Sequence, residues 1–124
     1  MEHLSKISLH EKFSSFDDLW QPKIVARVDD YAVKIVKVEG EFVWHHHDND
    51  ELFFVVTGGI RMKYRIGDRE DEVSFGPGEM LRVPKGVEHL PAALPGTELM
   101  LIERGDLVNT GNVESDRTAV PATI

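Results

Sequence analysis

The chain has 124 residues, 41% apolar and 29% charged, the balance of one soluble domain with a single core. Its formal net charge of −8 argues against a nucleic-acid or anionic-membrane surface, because phosphate recognition needs clustered lysine and arginine. It has no cysteine, which rules out a disulfide framework and any thiolate metal site and suits the reducing cytoplasm, the expected location. No run approaches the roughly 20 apolar residues of a membrane span, and the first residues lack a secretory apolar core.

Residues 1–22 read as an arm. Phe13, Phe16, Leu19 and Trp20 recur at helical spacing, with Ser15 and Asp18 placed as a capping box. Pro22 ends any such helix after one or two turns.

From Lys23 to Arg104 the chain reads as β. Short runs of Val, Ile, Phe and Leu are broken at Asp29-Asp30, Gly40, Gly58-Gly59, Gly67-Asp68, Gly76-Pro77-Gly78 and Pro95-Gly96. This spacing, without a long helical pattern between the runs, predicts antiparallel strands in a sandwich or barrel. Ile60, Met62, Tyr64 and Ile66 share one strand face, and Arg61, Lys63 and Arg65 the other, as on a solvated outer surface. The segment Glu51–Thr57 is apolar on both faces, so its outer face needs a cover, either the arm or a second copy in a homodimer. Residues 105–124 are polar and read as an irregular tail with mobile ends.

The chemistry concentrates in Trp44-His45-His46-His47-Asp48-Asn49-Asp50-Glu51. On a strand, His45 and His47 point to one face, roughly 6–7 Å apart along the backbone, where two imidazoles can converge on one ion. Trp44 and His46 then point away. A turn through Asp48–Asp50 brings Glu51 back on the neighbouring strand. A polar hairpin tip with hydrogen-bonded histidines would give the same local pattern, so a second segment has to decide. It runs from Gly78 to His89, with His89 just beyond the turn Pro84-Lys85-Gly86.

Together the two segments resemble the paired motifs of the cupin superfamily. The first is Gly40, four residues, His45-x-His47, three residues, Glu51, six residues, Gly58. The second is Gly78, five residues, Pro84-x-Gly86, two residues, His89, three residues, Ala93. The first gap is one residue shorter than the usual pattern, and Ala93 stands where the family keeps Asn. Neither departure touches a ligand position. The resemblance spans about residues 30–104 and is similar to the stand-alone bacterial cupins grouped with the mannose-6-phosphate isomerase cupin domain; the tail's Asn109-Thr110-Gly111 is similar to that group too.

The resemblance implies an all-β, double-stranded β-helix (jelly-roll) barrel over residues 23–104, with arm 1–22 and tail 105–124. It implies one divalent ion, Fe, Mn, Ni or Zn, on His45, His47, Glu51 and His89. Such an ion keeps positions open for a small-molecule ligand with two oxygens. A Lewis acid in that position suits isomerase, dioxygenase or lyase chemistry on a small polar, carbohydrate- or keto-acid-like metabolite; a non-catalytic sensing module is the alternative. Strand parity with the ligands adds Val43 and Phe53 as candidate pocket-lining residues; Met80 and Met100 are candidates for its wall or for core filling, and Tyr64 is a candidate pocket-lining acid or base or plain core. His3 and His10 belong to the arm.

Overall fold

The computed structural model describes residues 3–105, 109–115 and 118–124. Its elements are helix α1 (Leu9–Phe13) and strands β1 (Lys23–Val28), β2 (Tyr31–Glu41), β3 (Glu51–Thr57), β4 (Ile60–Ile66), β5 (Arg69–Phe75), β6 (Met80–Val83), β7 (Glu88–Arg104) and β8 (Ala122–Thr123). Hydrogen bonding runs in the order β5-β4-β7-β2-β1-β8, with β3 pairing both β6 and β7. All pairings are antiparallel except that of β1 with β8. This is the all-β jelly-roll barrel expected.

One strand closes it. The first part of β7 pairs with β4, and from Thr97 onward β7 lies between β2 and β3. The expected breaks at Gly40 and Pro95-Gly96 are therefore not strand ends. β2 runs through Gly40, whose φ of 72° sits at a register shift against β7. A glycine inside a strand marks a bulge, and the bulge lets a long strand curl across the barrel.

Alternation decides what lies inside. Phe53 and Val55 of β3, Val36 and Val38 of β2, and Leu99 and Leu101 of β7 point inward into one core with Ile60 and Met62 of β4. The outer face of β4 is solvated, as its basic stripe predicts: Arg61 and Arg65 stand 3.7 Å from Glu72 and Glu70 of β5. The Arg65 guanidinium also lies 3.7 Å from the Trp44 ring, on the outside of the barrel.

The arm differs from expectation. Its helix starts earlier, at Ser8, whose Oγ accepts the Glu11 amide at 3.2 Å. The N-cap is Ser8, and Ser15 to Asp18 lie beyond the helix. Phe13 is buried, and α1 shares a groove with Val56 and Thr57 at one end of β3. Leu52 and Phe54 further along that face stay half-buried.

The tail is more ordered than its polarity suggests. Ala122 and Thr123 add a short parallel strand to the edge of β1, and the Ile124 amide donates to the Ile24 carbonyl at 3.0 Å.

Candidate metal centre

His45, His47, Glu51 and His89 are all buried, and one ligand atom from each lies within 4.8 Å of the other three. Three different backbone devices bring them there. His45 and His89 exchange two backbone hydrogen bonds, 3.0 and 2.9 Å, in an isolated bridge. The His47 carbonyl accepts the Gly86 amide at 2.8 Å, so the Pro84-x-Gly86 turn holds the second histidine while aiming the third. Glu51 opens β3, after bends at Asp48 and Asn49, and Asp50 Oδ1 accepts the Lys85 amide at 3.0 Å. Apart from that bridge, residues 42–50 are irregular rather than the strand inferred from parity, yet His45 and His47 still converge.

The tail supplies a fourth support. Asn112 brackets His46, accepting its amide on Oδ1 at 2.7 Å and donating its own amide to the His46 carbonyl at 3.1 Å. Gly111 reaches this close only because it has no side chain: an added Cβ would collide with the His46 carbonyl oxygen and stand 3.1 Å from His47 Nδ1. His46 itself turns away, 3.7 Å from Glu88 Oε1.

The ring nitrogens are poised as ligands. His45 Nδ1 donates to the Val43 carbonyl at 2.9 Å, and His89 Nδ1 to the Val87 carbonyl at 2.8 Å. Each bond assigns the ring proton to Nδ1 and leaves Nε2 as a bare lone pair. Burial pushes the His45 pKa down to about 4, helped by His89, and that of His47 down to about 3, helped by His45 and His89. Burial lowers His89 as well. All three rings are therefore neutral at pH 7.

His89 Nε2 then faces Glu51 Oε1 at 3.3 Å, and His47 Nε2 faces Glu51 Oε2 at 3.4 Å. The bare His89 Nε2 and a carboxylate oxygen repel at that distance unless a cation sits between them. His47 Nε2, His89 Nε2 and Glu51 Oε1 have no hydrogen-bond partner among the described residues. Buried polar atoms are rarely left so, and the donor set fits a divalent metal ion.

Beside this cluster lies a buried ion pair. Lys34 Nζ stands 2.9 Å from Glu103 Oε1, with the side chains 0% and 2% exposed. The Glu103 carboxyl abuts Glu51, and its pKa is pushed well up by burial and by the Glu51 charge, with Lys34 pulling it back. Glu51 is raised by burial too. Strand parity carried a signal for both residues: Lys34 faces inward with Ala32 and Val36, and Glu103 with Leu99 and Leu101. A charge at a core position of two paired strands calls for a buried partner.

His45, Glu51 and Glu103 line a small cavity that opens to solvent. Val36, Val38, Phe53, Leu99 and Leu101 form much of its wall. Of its lining residues among the described ones, Trp20 and Asn109 alone are not buried, and they flank the mouth. Trp20 has a φ of 61°, rare for so large a side chain. Its amide donates to the Lys37 carbonyl, its Nε1 to the Glu39 carbonyl, and its own carbonyl accepts Asn109 Nδ2 at 2.7 Å. Its ring stacks on Phe42 with centroids 4.5 Å apart.

Of the residues expected to line the pocket, Phe53 does so. Met80 is corrected: it is 60% exposed, because β6 turns Leu81 and Val83 inward. Met100 is corrected for the same reason, alternating with the inward Leu99 and Leu101. Val43 contributes its carbonyl to His45 rather than a side chain to the cavity wall. Tyr64 pairs with His89 across β4 and β7, outside the residues that line the cavity.

Comparison with known proteins places this architecture. A solved cupin-2 domain protein from Shewanella frigidimarina is 43% identical, covering 79% of this chain and 93% of its own, with a TM-score of 0.73. The uncharacterized protein YdbB of Bacillus subtilis is 32% identical over 80 residues, 64% of this chain and 68% of its own length. At 21% identity, hydroquinone 1,2-dioxygenase from Sphingomonas sp. TTNP3 shares the fold alone, with a TM-score of 0.74 over 82% of this chain and 32% of its own. The model of the cupin domain family matches residues 32–108, more than half of the sequence. The chain belongs to the cupin superfamily.

Proposed function

We propose that this cupin holds one divalent ion, Fe, Mn, Ni or Zn, on His45, His47, Glu51 and His89. We further propose that it acts as a metal-dependent isomerase, dioxygenase or lyase on a small oxygen-bearing metabolite. The observation that carries this reading is the pair of imidazole nitrogens, without hydrogen-bond partners among the described residues, facing Glu51 at 3.3 and 3.4 Å inside a buried cluster. An ion bound there supplies Lewis acidity to substrate oxygens. The chain's own part is to hold three neutral imidazoles, those of His45 and His89 with their protons on the far nitrogens, and to keep water out with the apolar wall. Glu103, beside Glu51 and raised well above the usual carboxylate range, is placed to hold or pass a proton at its carboxyl. This role replaces Tyr64 as the leading acid–base candidate, because Glu103 lines the cavity and Tyr64 does not.

A homodimer in the cytoplasm completes the proposal. Leu52, Phe54 and Met100 form a half-buried apolar outer face, with Met80 60% and Ile102 36% exposed beside them. A second copy of the chain would cover that face.

Elemental analysis of tag-free protein, purified from metal-replete growth, tests the central claim. The expected content is about one ion per chain, lost in His89→Gln; less than about a tenth of an ion per chain refutes it.

A further inference from the structure

The cavity beside the His/Glu cluster has a wall and a polar inventory, and the two together restrict what can enter it. The wall is hydrocarbon: Val36, Val38, Phe53, Leu99 and Leu101, with the stacked Trp20 and Phe42 rings toward the mouth. An apolar wall of this kind favours ligand surface that gives up no hydrogen bonds on leaving water.

The polar inventory is short, and most of it is already engaged. Asn109 lines the mouth, but its Nδ2 donates to the Trp20 carbonyl at 2.7 Å and its Oδ1 accepts the Ala119 amide at 2.7 Å. Glu103 gives Oε1 to Lys34 at 2.9 Å, and its carboxyl stands against Glu51. Pro22 and Pro91, which also line the cavity, have no N–H to offer. Outside the metal-binding cluster, the polar side-chain atoms that line the cavity among the described residues belong to Trp20, Asn109 and Glu103, and all but the second oxygen of Glu103 already have a hydrogen-bond partner.

A carbohydrate carries a hydroxyl on nearly every carbon. Here most of those hydroxyls would leave water and meet hydrocarbon, each unmatched one weakening binding by roughly tenfold or more. A ring or short chain with no hydroxyls meets no such penalty and gains the burial of its whole surface.

We infer that the site takes a compact, apolar-bodied molecule of about one ring in size, with a single oxygen-bearing head directed at the His/Glu cluster, rather than a sugar or other polyol. This rests on the metal reading above and narrows its substrate class. The head is the chelating group. The body lies along Val36, Val38, Leu99 and Leu101, and a flat ring continues the Trp20–Phe42 stack.

Three probes with one chelating head and different bodies test this: benzohydroxamate, acetohydroxamate and gluconohydroxamate. Each is titrated by calorimetry into protein loaded with Co(II), with the loading established by metal analysis and the visible spectrum recorded in parallel. Benzohydroxamate is expected to bind roughly tenfold or more tightly than acetohydroxamate, with gluconohydroxamate no tighter than acetohydroxamate. The Val38→Thr variant, which places a hydroxyl in the wall with little change of shape, should reduce the benzohydroxamate preference and leave acetohydroxamate affinity unchanged. Equal affinities for benzohydroxamate and acetohydroxamate, or tightest binding of gluconohydroxamate, overturn the inference while leaving the metal reading intact. Loaded protein that binds none of the three overturns it in the same way. Protein that takes up no Co(II) refutes the metal reading itself, and this inference falls with it.

Discussion

Lys34→Met removes a fully buried ammonium that lies 2.9 Å from Glu103 Oε1 and 3.3 Å from the Arg104 carbonyl oxygen. Methionine keeps most of the unbranched stem, so the barrel wall stays filled and the change is mainly one of charge. The Glu103 carboxylate is left beside Glu51 without that cation. Breaking a buried pair in this way costs about 3–5 kcal/mol, a large share of the roughly 5–15 kcal/mol that holds a domain together. Protonation of Glu103 relieves part of the loss, because burial and Glu51 already raise its pKa and Lys34 is what pulls it back. A group whose folded pKa is raised stabilises the fold below its unfolded value and loses that contribution as pH rises through the folded one. The penalty of Lys34→Met is therefore expected to be larger at pH 8 than at pH 5.5. Urea unfolding of metal-free protein, followed by tryptophan fluorescence at both pH values, measures it. Glu103→Gln and the double variant complete a cycle in which the double loses less than the sum of the singles by about 2 kcal/mol or more. Additivity within about 0.5 kcal/mol, or a penalty larger at the lower pH, would refute the reasoning.

Three further outcomes are expected. Gly111→Ala forces a side chain against the His46 carbonyl at a φ of 55° and should weaken metal binding by about tenfold or more, measured by competition with a chelator; unchanged affinity would mean that the tail does not hold the histidine segment. His47 has its pKa lowered to about 3 by burial, so its contribution is present above the unfolded value and is lost as pH falls. From pH 7 to pH 5 the metal-free wild-type chain should therefore lose about 2 kcal/mol more stability than His47→Gln in chemical unfolding, and parallel losses in the two would contradict a buried neutral ring. Stripping the metal with a chelator should lower the melting temperature by about 15 °C, since an ion at 1,000 times its Kd contributes about 4 kcal/mol; no shift on adding and removing metal would count against the centre.

The His/Glu cluster and the barrel were legible in the sequence because both rest on local regularities. Alternation marks the inward side of β3 and β4, and two spaced motifs name His45, His47, Glu51 and His89. Those motifs are short because each ligand is aimed by a turn or bridge a few residues away. The arm helix was also legible, in Ser8-x-x-Glu11, although the aromatic spacing pointed further along the chain. What the sequence left open depends on contacts between distant segments. Lys34 meets Glu103 across 69 positions, and His46 meets Asn112 across 66, so only the closed barrel shows that the cluster has a buried ion pair beside it and a clamp from the tail. The same holds for the cavity: Met80 and Met100 fall outside it, and Trp20 and Asn109 form its mouth, because strand register and the path of the arm, not parity along one strand, decide which side chains face the His/Glu cluster.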